Sequence, residues 1–89
     1  MKGIITVVGK DQVGIIAKVC TLLSEAHVNI LDISQTILQG YFNMMMIVDL
    51  TDSKVSFNEL VDTLNELGKT LEVDIRLQHE QIFDSMHRI

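Results

Sequence analysis

Two amphipathic helical patterns set among four extended apolar runs predict an α+β domain of β-α-β-β-α-β order. That order calls for a four-stranded antiparallel sheet with both helices on one face. The 89 residues, 47% of them hydrophobic, suffice for one domain and are too few for two. They read as a single domain over 1–89, with a core over 2–78 and a tail over 79–89.

The first run, Gly3-Ile4-Ile5-Thr6-Val7-Val8, is β-branched and apolar, as in a buried strand. From Ile15, apolar residues recur at Val19, Leu22, Leu23 and Ala26, with Lys18 and Glu25 on the opposite side, which is a helix with one buried face. Ile16 and Cys20 widen that stripe, so Cys20 reads as a small core residue and not as a nucleophile. His27, near the helix end, reads as a surface group.

Asn29 opens a long extended stretch to Gln39, with Leu31, Ile33 and Ile37 expected on one face and Asp32, Ser34 and Thr36 on the other. Gly40 supplies a turn, and Tyr41 to Thr51 returns as the second arm of a hairpin. Phe42, Met44, Met46, Val48 and Leu50 share one side of that arm; Asn43, Met45, Ile47 and Asp49 share the other. Alternation thus splits the three consecutive methionines between faces and favours core packing over a methionine metal site.

Ser56 and Glu59 form a capping box for the second helix, with Val55 and Leu60 placed as a hydrophobic staple. Phe57, Leu60, Val61, Leu64 and Leu67 form its buried stripe, and Gly68 is the expected C-cap. Leu71 to Gln78 alternates as a fourth strand. In the tail, Ile82, Phe83, Met86 and Ile89 have the spacing of a short closing helix whose apolar stripe must pack on something. His79 and His87 have no nearby cysteine to complete a metal set, so neither a metal nor a cofactor is expected. The whole is a ferredoxin-like arrangement.

Composition narrows the function. A net charge of −5, with seven scattered Lys and Arg, argues against a nucleic-acid surface or an acidic membrane. One cysteine rules out an internal disulfide, and neither a signal peptide nor a membrane-length apolar run is evident, so a soluble cytoplasmic protein is expected. Stacking aromatics for RNA are missing from the first strand, a Cys-x-x-Cys for copper is missing from the loop after it, and that loop lacks the arginine an acylphosphatase would need. No Ser-His-Asp set, carboxylate dyad or nucleotide loop emerges, so no catalytic residue is assigned and the chain is read as non-enzymatic.

The stretch Gly9-Lys10-Asp11-Gln12-Val13-Gly14-Ile15 is the candidate site. It is a strand-to-helix turn, and the first N–H groups of a helix lack intrahelical partners and can take a carboxylate. No Lys-Ser/Thr follows Gly14, so it is not a phosphate loop. Apolar residues on both sides of the strands, Ile4 with Ile5 and Met44 with Met45, also suggest that the second face or a sheet edge is covered by another copy.

Gly9-x-Asp11-x-x-Gly14-Ile15, followed by Asn29-Ile30-x-Asp32-Ile33-x-Gln35, resembles the pattern of ACT domains. It is similar to the N-terminal ACT domains of formyltetrahydrofolate deformylases, to the glycine-cleavage-system regulator, and to short stand-alone bacterial ACT proteins. The resemblance runs from Lys2 to about Gln78. It implies a homodimer or larger homo-oligomer that binds an amino-acid-like small molecule at a subunit interface and signals to a metabolic enzyme or regulator. Carried onto this chain, the contacts are Asp11, Gln12, Val13, Gly14 and Ile15, with Asn29 and Ile30 from the same or a neighbouring subunit. Helix-start N–H groups would take the ligand carboxylate, and Asp11 or Asn29 its ammonium. Asp11 reads equally well as a helix cap and Asn29 as a positive-φ turn residue. Val13 stands where the deformylase domains often carry proline. The alternative function is a protein–protein interaction module that docks on a metabolic enzyme without a ligand.

Overall fold

Lys2–Lys10 form β1, which pairs antiparallel with β3 (Tyr41–Asp49) on one side and β4 (Asp74–His79) on the other. β2 (Asn29–Leu38) pairs with β3 alone, so the sheet order is β2-β3-β1-β4 and β2 is an edge. The helices are α1 (Ile15–Glu25) and α2 (Phe57–Leu71). This computed structural model describes residues 1–10 and 14–80, with Leu38 described by its backbone only. The expected ferredoxin-like order is the one found. The closing helix expected in the tail lies, from residue 81 onward, outside the described residues.

One apolar cluster holds the elements together. Ile5 and Val7 of β1, Met44 and Met46 of β3, and Ile75 of β4 meet Val19 and Leu23 of α1 and Leu60 and Leu64 of α2. The methionine run divides as alternation requires: Met44 and Met46 are buried and Met45 is 38% exposed. Cys20 lies half-buried at the margin of this cluster, a packing residue as expected. At the start of α2, the Ser56 side chain accepts a hydrogen bond from the Glu59 N–H at 3.1 Å, as the capping-box spacing requires.

The structure corrects several boundaries. β1 does not stop at Val8 but continues through Gly9 and Lys10, which pair with Phe42 and Tyr41. Gly68 is not a cap: α2 runs on to Leu71, and Glu72 takes the left-handed conformation instead, at φ 58°. The glycine at 68 answers a close approach, since an added Cβ would lie 2.8 Å from the Val73 carbonyl oxygen. Accordingly β4 starts at Asp74, not Leu71. His27 closes α1 in the same left-handed way, at φ 59°, with the Val28 N–H donating to the Leu23 carbonyl at 2.9 Å. The hairpin between β2 and β3 turns on Gln39 and Gly40 together, at φ 52° and 81°, the sign pattern that suits a two-residue connection. A bulge at Leu31 breaks the expected alternation of β2, so that Ile33 and Ile37 face the same way as Met46 and Phe42 while Leu31 drops out of register.

Gly9 and Gly14 have different reasons to be glycine. A Cβ on Gly9 would strike Val73 Cγ1 and lie 2.8 Å from Val73 Cβ, whereas Gly14 has open space around it and a φ of 92°. Gly9→Ala is therefore an overpacking change, costing about 1–3 kcal/mol, and Gly14→Ala a conformational one, costing about 1–2 kcal/mol. A double-mutant cycle of thermal melts separates them: adding Val73→Ala, which removes the Cγ1 clash but keeps Cβ, should relieve part of the Gly9→Ala loss and leave the Gly14→Ala loss unchanged.

Candidate functional site

The turn after β1 delivers the chain to α1 through Gly14, which is the N-cap and offers no side-chain acceptor to the first turn. The first intrahelical bond is Lys18 N–H to Gly14 carbonyl, 3.0 Å. The N–H groups of Ile15, Ile16 and Ala17 thus have no acceptor within the helix. Ile15 itself is 1% exposed, its side chain fixed in the core, so that its contribution to any ligand is limited to the backbone. Asp11, Gln12 and Val13 lie outside the described residues.

Asn29 and Ile30 begin β2, at the far end of α1 from Gly14. Asn29 pairs with Asp49 and Asp49 with Lys2, whereas Leu38, Tyr41 and Lys10 form the opposite terminal row of the sheet. Eleven helical residues separate the two places, about 16 Å along α1. The structure brings Gly14 together with Ile15, and Asn29 with Ile30, but does not bring the two pairs together within one chain. Asn29 also has no positive φ, and that role belongs to His27.

A polar cleft of 470 Å³ surrounds the Asn29 end, lined by Cys20, Ser24, His27, Asn29, Ile30 and Asp52. Sequence reading found Asn29 and Ile30 but missed the others as a group. Ser24 and His27 carry no pattern beyond a helix end, and Asp52 arrives from the β3–α2 connection, which the Lys54 N–H to Ala26 carbonyl bond, 2.8 Å, ties to the end of α1. A larger, mainly apolar groove of 640 Å³ runs between the helices, between Ala17, Leu22 and Ala26 on one side and Leu60, Thr63 and Leu67 on the other. It contains none of the candidate site residues. Among the described residues, no group of three or more His, Cys, Asp or Glu is placed to hold a metal, and no helix is long and apolar enough to cross a membrane.

The electrostatics at this end centre on Asp49. Its carboxylate accepts the Thr51 hydroxyl at 2.6 Å and the Thr51 N–H at 3.0 Å, and these bonds hold its pKa below the ordinary 3.8. The N-terminal ammonium in turn donates to the Thr51 hydroxyl oxygen at 3.2 Å.

The ACT domain family model matches residues 3–78. A UPF0237 protein of Bifidobacterium longum is 60% identical over 88 residues, which are 99% of this chain and 98% of that one. Among solved structures, an ACT domain protein from Streptococcus pneumoniae is 48% identical, with a TM-score of 0.82 and 94% of each chain covered. A formyltetrahydrofolate deformylase from Pseudomonas syringae pv. tomato shares the fold at a TM-score of 0.80 and 20% identity, over 88% of this chain and 27% of that one.

The Asp49 bonds set a pH dependence. A folded-state pKa below the unfolded value contributes stability that is fully present above the unfolded value and is lost as pH falls through the folded one. The melting temperatures of the natural chain and Asp49→Ala should therefore differ at neutral pH, and the difference should shrink once the pH drops below 3.8.

Proposed function

This chain belongs to the ACT domain family, and from that premise we propose that it is a non-enzymatic regulatory module in which an amino acid or a similar small metabolite binds between two copies of the chain. ACT domains are typically regulatory and ligand-binding, which supports the class of function. The observation that carries the finer reading is the separation of Gly14 from Asn29 within one chain, because residues at opposite ends of the sheet can share a ligand only across an interface.

The edge strand supplies that interface. β2 is ten residues long, exposes Leu31 at 47%, Ile33 at 43% and Ile37 at 56%, and carries neither Lys nor Pro to discourage pairing. Antiparallel pairing of β2 with its own copy about a two-fold axis reverses the order of rows. Asn29 of the second copy then falls at the Leu38 row, beside the turn that leads into α1. In this arrangement the N–H groups at the start of α1 take the ligand carboxylate, Gln12 and Val13 are further contacts, and Asp11 of one copy or Asn29 of the other receives the ammonium. Ile30 supports Asn29 from the margin of the core. The output passes to a separate metabolic enzyme or regulator in the cytoplasm, since binding energy alone does no more than bias a partner.

Thermal melts of the purified protein against the amino acids and one-carbon metabolites, with mass by light scattering, test this reading. A ligand at a hundredfold its Kd stabilises by about 2.7 kcal/mol, a rise of roughly 10–20 °C for a domain this size. We expect a dimer, a rise with at least one amino acid, and loss of that rise in Gly14→Val with the dimer retained. Ile33→Lys should yield a monomer that gives no rise. A stable dimer that answers to no compound would favour the ligand-free interaction module, with the groove between the helices as its docking surface.

A further inference from the structure

We propose that the C-terminal segment 81–89 seats its apolar residues on the sheet face opposite the helices, over Ile4 and Ile47. Ile4 is 4% exposed, yet strand alternation turns it away from both helices. Its row partners are Ile47 on β3 and Gln78 on β4, each next in sequence to a residue of the core, Met46 and Leu77, and Ile4 stands outside the core cluster. No described element lies over this face. Burial on it is graded: Ile4 is buried and Ile47 and Gln78 are half-buried, whereas Met45 at 38% and Val8 at 44% are exposed further along.

The buried end is where the chain leaves the sheet. His79, the last residue of β4, pairs with Gly3, one row from Ile4. The next residues carry Ile82, Phe83, Met86 and Ile89 at the spacing of one helical face. Nine residues reach at least about 13 Å even when wound as tightly as an α-helix, enough to cross from β4 over β1 to β3, which is about 10 Å. A tether this short favours the chain's own segment over a second copy, because closing a small loop costs little entropy. The covered patch lies on β4, β1 and β3, so it leaves the β2 edge free and does not depend on the proposed ligand site.

The chain has no tryptophan, so Phe83→Trp places one reporter in the segment. Its emission should be blue-shifted and shielded from acrylamide, should stay so on dilution whatever the mass seen by light scattering, and should move to the water-exposed position when Ile47→Lys is added. Three results would overturn the proposal: a solvent-exposed indole in the folded Phe83→Trp protein, a blue shift that follows the mass down on dilution, or a blue shift indifferent to Ile47→Lys.

Discussion

The antiparallel register of β1 with β3, and of β3 with β2, constrains the rest of the molecule. It places Lys10, Tyr41 and Leu38 in one terminal row and Lys2, Asp49 and Asn29 in the other, and α1 spans the distance between them. Because Ile5, Val7, Met44 and Met46 are locked in the core on one face, a slip of one residue would turn every one of them outward. The two ends of α1 are thus held apart by the same packing that makes the domain stable. Within one chain, therefore, the strand-to-helix turn and Asn29 lie too far apart to touch one small ligand.

Much of this was legible in the residues. Period-two alternation separated Met44 and Met46 from Met45, helical spacing found the buried faces of α1 and α2, and the Ser-x-x-Glu box set the start of α2. The failures share a cause. His27, Gln39 and Glu72 adopt positive φ without being glycine, each because hydrogen bonds or strand pairing around it dictate the turn, and no composition rule marks them. Gly68 was legible as a special position but not as a close contact with Val73, which only the α2–β4 packing creates. The bulge at Leu31 leaves the apolar content of β2 unchanged while altering which residues share a face.

The candidate site was half legible. The turn and Asn29 were found as motifs, but that they lie about one helix length apart emerges only from register. Asp52 joins the cleft around Asn29 through a backbone bond between distant loops, which local sequence cannot encode. A site that recognises its ligand through backbone N–H groups also leaves few side chains from which to read specificity.

The most direct test of the shared site mixes two defective chains. Gly14→Val and Asn29→Ala, each impaired in binding the amino acid found by the melting screen, are co-refolded and the heterodimer isolated with two affinity tags. If each site takes Gly14 from one copy and Asn29 from the other, the heterodimer contains one site with both defects and one with neither. Calorimetry should then return natural affinity at one site per dimer. Two weakened sites, with no natural one, would mean that both residues serve a ligand within a single chain and would contradict the account.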